Sequence, residues 1–246
     1  MSKKYAIRDA SRVTNDGTMV ESLRRLPATG QVERIRNLIE PKCCLLDLGA
    51  GVGRLANPLA KLGYQVTAVD DSADLLAEIP HARRVCARIE KLRLPEKFDA
   101  VLLASSLINY PGVELRRGVL ATVAHHLKPT GKAVIQWRSP LWFASLRQGG
   151  SSQWADGPLV RIANVHTDGD GLVNGDVTFE FDGQTWCQPF RLEYMTSAEL
   201  RDELGRVGLQ LDTSDPDTTE WLEVTVDDAG LSRHQVQTQT TTSCTA

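Results

Sequence analysis

A glycine-rich string that follows an acidic residue is the part of the sequence best suited to chemistry. It reads Asp47-Leu48-Gly49-Ala50-Gly51-Val52-Gly53-Arg54 and stands between a compact apolar run and a helical pattern. Glycines at such a junction allow a tight turn and let a ligand approach the backbone closely. Asp70 follows about 20 residues later at the end of the next apolar run, a place where an acid accepts hydrogen bonds from ribose hydroxyls. The pattern predicts a site for a cofactor that contains a nucleoside, and a nicotinamide dinucleotide is one such cofactor.

Two details of the loop distinguish between the possible cofactors. Its glycines are spaced GxGxG, so the third glycine of the GxGxxG dinucleotide pattern is displaced. Asp47 stands two residues before the first glycine, and a carboxylate there repels a pyrophosphate but can pair with an ammonium group. The loop therefore favours a cofactor with an amino acid end, with an NAD(P)-dependent oxidoreductase of Rossmann type as the alternative.

Alternating strand and helix patterns surround this loop. Helical spacing of apolar residues separates the apolar runs, and this alternation implies parallel strands, right-handed crossovers and helices on both faces of the sheet. The predicted strands are 43–47, 65–69, 84–89, 98–104 and 132–137.

The pattern changes after residue 138. Period-two alternation at 172–173, 177–181 and 185–190 predicts antiparallel strands, and Asp182-Gly183 predicts a hairpin turn. Thr196 and Glu199 have the spacing of a helix capping box, and two further strands follow it. We predict an α/β fold: a Rossmann-like, doubly wound, mostly parallel seven-stranded sheet with an antiparallel β insertion after the fifth strand.

These patterns divide the chain into four parts. We predict an N-terminal helical lid at 1–40, a core at 41–138 and 196–226, and an insertion at 139–195 that covers the substrate. The last part, 227–246, is rich in Thr, Gln and Ser and cannot bury enough apolar surface to offset its ordering entropy. We predict that it is a flexible tail.

With these residues in place, the chain resembles the class I S-adenosylmethionine-dependent methyltransferases, well over 43–138 and more weakly to residue 226. The resemblance rests on the loop, the acid at the end of the second strand and the fourth-strand string Phe98-Asp99-Ala100-Val101-Leu102-Leu103-Ala104-Ser105. It implies that the loop holds the methionine part of S-adenosylmethionine and that Asp70 holds its ribose. The cofactor-binding residues that it implies are Asp47, Gly49, Ala50, Gly51, Gly53, Arg54, Asp70, Asp71, Ile89, Glu90, Ala104 and Ser105.

One position departs from the family pattern. The family often has an aspartate near the adenine amino group after the third strand, and Arg88 stands there in this chain. The resemblance then leaves Ile89 to pack on the adenine ring and Glu90 to accept a hydrogen bond from it.

The activity that the resemblance implies is methyl transfer to N or O of a small molecule or peptide by in-line displacement. A non-catalytic S-adenosylmethionine-binding protein is a second alternative. Because the cofactor supplies the reactive methyl, a catalytic base can be absent, and the catalytic residue is unknown. Candidates at strand ends and in the lid are Tyr5, Asn109, Tyr110 and Arg138.

Three of the side chains near the predicted site have two interpretations each. Trp186 and Phe190 either line the cover or pack within their sheet, since aromatic residues favour strands. Arg138 is either a solvated charge or a clamp for a substrate carboxylate.

Composition and short motifs argue against several other classes of protein and of binding partner. The chain has 246 residues, 28 basic and 31 acidic, and a net charge of −3, which argues against a nucleic-acid partner. Its five cysteines form no CxxC pair, so we predict reduced thiols, no metal site and a cytoplasmic location. No apolar run is long enough for a membrane span, and the [N/D/S]PP[Y/F] signature of amide and adenine N-methylation is absent after the fourth strand. The oligomeric state is not indicated.

Overall fold

The computed structural model describes residues 20–28, 30–146, 151–153 and 159–227. Its helices are α1 (Val20–Arg25), α2 (Gln31–Leu38), α3 (Ala56–Lys61), α4 (Ala73–Leu76), α5 (Val113–His126), α6 (Pro140–Leu146) and α7 (Ser197–Arg206). Its strands are β1 (Cys44–Leu48), β2 (Gln65–Asp70), β3 (Arg83–Cys86), β4 (Phe98–Leu103), β5 (Leu127–Gln136), β6 (Ser151–Gln153), β7 (Leu159–Thr167), β8 (Leu172–Phe181), β9 (Gln184–Glu193), β10 (Leu209–Leu211) and β11 (Trp221–Val226).

A seven-stranded sheet with the order β10-β11-β5-β4-β1-β2-β3 forms the centre of the fold. Its first five strands in the chain pair in parallel, whereas β11 is antiparallel to both β5 and β10. The chain order reverses between β1 and β4, so the crevice at the carboxyl ends of these strands is the place where open α/β sheets bind ligands. The predicted fold class is confirmed.

Helices cover both faces of this sheet because its central strands are apolar on both sides. On one face, Leu46 of β1 lies in a cluster with Leu120 of α5 and Leu204 of α7. On the other face, the neighbouring Leu45 lies in a cluster with Ile35 of α2. Burial on both faces holds β1 rigidly and so fixes the position of the loop that follows it.

Two of the elements end elsewhere than predicted. The sequence predicts a helix over 71–79, but α4 spans only Ala73–Leu76. The Ser72 hydroxyl caps its start by accepting a hydrogen bond from Leu75 N at 3.4 Å, and after its end Glu78 N and Ile79 N bond to Leu75 O and Leu76 O in tighter turns. The third strand was expected to reach residue 89, but β3 ends at Cys86 and Ile89 begins a 3-10 turn. The Thr122 hydroxyl donates a 2.8 Å hydrogen bond to Ile89 O and holds this turn against α5.

A second, antiparallel sheet with the order β6-β7-β8-β9 follows α6. Asp182 and Gly183 join β8 and β9, and their φ angles of 47° and 73° are those that a two-residue hairpin turn needs. The predicted hairpin is present, with longer strands than the sequence suggested, whereas α6, β6 and β7 were not predicted.

The predicted ends of the chain are only partly described. Residues 1–19 of the lid and 228–246 of the tail lie outside the described residues, so the fourfold division of the chain stays a prediction. No helix of the described part is long and apolar enough to cross a membrane.

Three polar residues, which we call the insertion root, tie the second sheet to the first: Asn109, Arg116 and Glu193. Glu193 is the last residue of β9, and its carboxylate forms an ion pair with Arg116. Arg116 Nη1 donates to Oε1 at 3.1 Å, and Nη2 lies 2.7 Å from Oε2. Asn109 donates from Nδ2 to Glu193 O at 3.2 Å and accepts at Oδ1 from Arg138 N at 2.7 Å. The root therefore joins the end of β9 to α5 and to the end of β5.

We expect Glu193→Gln to lower the free energy of unfolding by about 2 kcal/mol, because it leaves the Arg116 cation buried without its counter-charge. Breaking a fully buried pair costs about 3–5 kcal/mol, and the loss is smaller here because the Glu193 side chain is 32% exposed. Urea denaturation followed by circular dichroism measures the change.

Glu203→Gln is the matched control for this substitution. It breaks the pair between Glu203 on α7 and Arg117, the next residue of α5, but the Arg117 side chain is 38% exposed and stays hydrated. We expect a loss below about 1 kcal/mol. Equal losses in the two variants would contradict the role of the insertion root.

Candidate active site

The glycine loop lies at the carboxyl end of β1 and is held by the end of β2. Gly49 N and Ala50 N both donate to Val69 O, each at 2.9 Å. Gly49 has a φ of 79°, and a Cβ there would lie 2.6 Å from Leu107 Cδ1. The positive φ angle therefore favours glycine at this position, and a side chain there would have to displace the Leu107 methyl.

Asp70 faces the same loop from the end of β2. Its Oδ2 accepts from Gly51 N at 2.9 Å and its Oδ1 accepts from Ser72 N at 3.0 Å. The carboxylate is thus oriented by two backbone donors at the place where the sequence predicted a ribose contact.

Asp47 is almost fully buried beneath the loop. Burial raises the pKa of its carboxyl to about 7, the nearby Arg54 opposes this shift, and Asp70 adds to it. Asp47 Oδ2 has no hydrogen-bond partner among the described residues. A buried carboxylate oxygen that lacks a donor is costly, and it suits a ligand that brings an ammonium group.

Arg54 has structural contacts in addition to its charge. Its Nη1 donates to Gln31 Oε1 at 2.6 Å and to Pro27 O at 3.3 Å, so the guanidinium contacts the first residue of α2 and the segment before it. Burial lowers its pKa, and the charge of Asp47 opposes this shift. Its predicted contact with the cofactor stays a prediction.

The residues predicted to surround the adenine lie where β3 ends. A Cβ at Gly49 would lie 3.5 Å from Ile89 Cδ1, so Ile89 is beside the loop. Glu90 Oε1 lies 2.5 Å from Arg88 Nη2, and the carboxylate is therefore already in an ion pair. Asp71 is exposed next to Asp70, and its carbonyl accepts a 3.6 Å contact from Cys86 Sγ.

The end of β4 forms the opposite side of the crevice and is strained. Ser105 and Ser106, which follow Ala104, each have a φ of 57°, which is unfavourable for residues with a side chain. Ser105 N donates to Gln136 Oε1 at 2.9 Å, and this bond from the end of β5 holds the turn. Such strain persists only where the surroundings enforce it, and it is typical of functional sites.

Ser106 and Gln136 were missed by sequence reasoning, which ended at Ser105. Gln136 could have been predicted from the sequence, because it is a polar residue at the end of the buried strand β5. Nothing in the sequence indicates that two consecutive serines adopt a left-handed conformation.

Of the catalytic candidates, Asn109 and Arg138 have partners within the protein. Asn109 is fully buried in the insertion root, and Arg138 Nη1 donates to Glu220 Oε1 at 2.9 Å. The guanidinium carbon of Arg138 also lies 4.6 Å from the centre of the Trp142 ring. Tyr110 is half-buried against the cluster that includes Trp142, and Tyr5 lies outside the described residues.

Helix α1 lies over the glycine loop and touches the insertion. A Cβ at Gly51 would lie 3.9 Å from Leu23 Cδ1, and Val20 packs with Val52 of the loop. The guanidinium carbon of Arg25 lies 4.9 Å from the centre of the Trp186 ring in β9. The crevice is therefore bordered by the loop, α1 and the second sheet. The described residues contain no cluster of three or more potential metal ligands.

Residues 46–135 match the family model described as a methyltransferase domain. This match confirms the resemblance to class I S-adenosylmethionine-dependent methyltransferases over the loop and the first five strands.

Curated relatives match the same part of the chain. A ubiquinone biosynthesis O-methyltransferase of Bradyrhizobium sp. (strain ORS 278) is 34% identical over 106 residues, 40% of this chain and 41% of the relative. A demethylmenaquinone methyltransferase of Tropheryma whipplei (strain Twist) is 34% identical over 101 residues, 37% and 40% of the two chains. The chain thus spans about two fifths of the length of these relatives.

Solved structures share the fold over a longer stretch. The CcbJ methyltransferase of Streptomyces caelestis has a TM-score of 0.62 at 21% identity and covers 80% of this chain and 88% of its own. The S-adenosylmethionine-bound amino pentose methyltransferase CalS10 of Micromonospora echinaspora has a TM-score of 0.60 at 21% identity, with 81% and 89% covered. At this identity the likeness shows the fold alone.

We expect Asp47→Asn to stabilise the ligand-free protein more at pH 8 than at pH 5. The pKa of Asp47 is about 7 in the folded protein and about 3.9 in an unfolded chain, so the folded state holds the extra proton between these values. The stability of the unsubstituted protein therefore falls as pH rises through this window, whereas the amide carries no charge at any pH.

Urea denaturation of both proteins between pH 5 and pH 8 measures this difference. Asp74→Asn, on the exposed face of α4, is the control and should leave the pH dependence unchanged. A stability difference between Asp47→Asn and the unsubstituted protein that does not change with pH would contradict a raised pKa.

Proposed function

We propose that this chain is an S-adenosylmethionine-dependent methyltransferase that acts on N or O of a small molecule. The observation that carries the proposal is the buried Asp47 oxygen that has no donor among the described residues, two residues before a glycine loop at the carboxyl end of β1. The match of residues 46–135 to a methyltransferase domain supports the same conclusion.

The residues at the crevice fit this cofactor. Asp47 would receive its ammonium group, the backbone of Gly49 to Gly53 would lie along its methionine part, and Asp70 would accept from its ribose. Ile89 would pack on its adenine. When bound, S-adenosylmethionine supplies an activated methyl group for in-line displacement.

The contribution of the chain itself is to align the acceptor and exclude water. Leu23 over Gly51 and the contact of Arg25 with Trp186 close the crevice from the side of α1. The strained turn at Ser105, held by Gln136, fixes the opposite side. Orientation of this kind can supply several kcal/mol of the barrier reduction.

A dedicated base is not required for this proposal. Asn109 and Arg138 serve as positioning residues, because their polar atoms are bonded to other parts of the chain. The carboxylate clamp proposed for Arg138 loses support, since Glu220 already neutralises its charge. Tyr110 stays a candidate for contact with the acceptor, and so does Tyr5.

A small molecule is preferred over a peptide as the acceptor. Three of the proteins named above are named for ubiquinone biosynthesis, for demethylmenaquinone and for an amino pentose, all of which are small molecules. Absence of nucleic-acid and membrane partners and a cytoplasmic location stay predictions from the sequence. The oxidoreductase alternative has no support, because Asp47 opposes a pyrophosphate and the family match is to methyltransferases.

We expect Asp70→Asn to weaken S-adenosylmethionine binding at least about tenfold, because a hydrogen bond to a charged group is worth about 1.5–3 kcal/mol. The amide oxygen can still accept from Gly51 N, so the loop keeps its support. Asp74→Asn is the matched control and should bind as the unsubstituted protein does. Isothermal titration calorimetry measures the three affinities.

The same titration with NADH tests the proposed function itself. We expect binding of S-adenosylmethionine and no binding of NADH. Tight NADH binding without S-adenosylmethionine binding would overturn the proposal. A screen of amines, carboxylates, phenols and short peptides with labelled cofactor then identifies the acceptor.

A further inference from the structure

Helix α5 holds the segment 87–97, which joins β3 to β4 and which we call the adenine connection. Thr122 and His126 of α5 have the i, i+4 spacing that places two side chains on one face of a helix. The Thr122 hydroxyl donates to Ile89 O at 2.8 Å, and His126 Nε2 accepts from Leu94 N at 2.9 Å. Two side chains of α5 therefore bond the backbone of the connection, one near each of its ends.

The hydrogen bonds of His126 fix the position of its proton. The Leu94 N–H group can only donate, so Nε2 of the ring carries no proton. His126 Nδ1 lies 2.8 Å from Thr122 O, which can only accept, so Nδ1 carries the proton. The fully buried ring is therefore neutral and bonded on both sides. A second proton at Nε2 would set two donors against each other and break the bond to Leu94.

The surroundings of His126 favour this neutral form. Burial lowers the pKa of the ring, and the hydrogen bond to Thr122 O opposes this shift. The groups whose positive charge adds to the shift are His125, Arg93 and Lys97. Glu96 faces the ring with the opposite charge, but its carboxylate already accepts a hydrogen bond from Arg83. From β4 the ring meets the uncharged Phe98, with the ring centres 6.3 Å apart.

The adenine connection borders the glycine loop. A Cβ at Gly49 would lie 3.5 Å from Ile89 Cδ1. The connection is packed closely on α5, because a Cβ at Gly118 would lie 2.7 Å from Glu90 Cβ. Since Leu94 is close to Ile89 along the chain, loss of the bond between Leu94 and α5 loosens the position of Ile89 beside the loop.

We propose that His126 is a positioning residue for the adenine side of the cofactor site and acts only in its neutral form, so that acid weakens the binding of adenosine-bearing ligands. Protonation at Nε2 releases Leu94, and a ligand that needs Ile89 in place must then restore the connection. This inference rests on the proposed function, which places the adenine on Ile89.

The direction of the pH effect follows from proton linkage. In the released connection His126 titrates near its ordinary pKa of about 6.5, whereas burial lowers this pKa in the closed connection. Protons therefore bind the released form better, and affinity for the ligand falls as pH drops below about 6.5.

Binding of 5′-methylthioadenosine separates this effect from the titration of Asp47. The probe has the adenine and ribose of S-adenosylmethionine but no ammonium group, so the proposed contact with Asp47 does not enter. We expect it to bind at least about threefold more weakly at pH 5 than at pH 7, because a smaller fraction of the protein has the connection closed. Isothermal titration calorimetry measures the affinity, and equal affinities at the two pH values would overturn the inference.

Substitution of His126 assigns the pH dependence to this residue. His126→Gln supplies an amide oxygen that can accept from Leu94 N but has no proton that titrates. Its affinity for the probe should therefore be nearly equal at pH 5 and pH 7. His166→Gln is the matched control, since it makes the same change at an exposed histidine of β7 and should keep the original pH dependence. The original dependence in His126→Gln would contradict the role of this residue.

Hydrogen exchange at the Leu94 amide tests the same bond without any substitution. Exchange reports local opening of the structure, and the rate is corrected for the intrinsic effect of pH. We expect the protection of this amide to fall at least about threefold from pH 7 to pH 5, in line with the loss of closed connection. Protection that is equal at both pH values would show that His126 does not release Leu94.

Calorimetry at pH 7.5 distinguishes failure of the proposed function from failure of this inference. If the unsubstituted protein binds neither S-adenosylmethionine nor 5′-methylthioadenosine, the proposed function fails, and the inference fails with it. If both ligands bind but His126→Gln keeps the pH dependence of the unsubstituted protein, only the role of His126 fails.

Discussion

The two hydrogen bonds from Gly49 N and Ala50 N to Val69 O are the constraint on which the site depends. They join the loop after β1 to the end of β2 and turn the chain before α3 begins. Because β1 is buried on both faces, it cannot shift to relieve this turn, and the loop is fixed relative to the whole sheet. The same bonds bring Gly51 N to Asp70, so one short segment sets both the course of the loop and the orientation of the acid.

The charged side chains around the glycine loop form a second constraint on the site. Asp47 is buried and Arg54 and Asp70 beside it are half-buried, so their charges interact more strongly than in water. Arg54 is held by Gln31 and Pro27, so the positive charge has a fixed place and cannot fully satisfy Asp47. Asp47 Oδ2 is therefore left without a hydrogen-bond donor among the described residues, as the proposed contact with an ammonium group requires. This unfavourable arrangement is confined to the place where the ligand is expected.

The sequence predicted the first sheet well because its signals are local. The glycine loop, the acid after β2 and the buried run of β4 each follow from residue types within a few positions. The structural role of Asn109 could not be predicted from local residue types. It depends on hydrogen bonds with Glu193 and Arg138, which approach Asn109 only in the folded chain. Helix α6 was missed since Pro140, its first residue, is equally typical of a turn, and β7 was missed because its bulge between Ala163 and His166 breaks the alternation. Arg138 illustrates a further limit, since its partner Glu220 is remote in sequence.

The insertion root confines this attachment of the second sheet to one of its ends. Glu193 is the last residue of β9, and its ion pair with Arg116 involves no residue in the middle of β8 or β9. Residues at the middle of β8 and β9 can thus be exchanged while this attachment is kept. The surface of the second sheet can therefore diverge between related chains without any change in the glycine loop or in the first sheet.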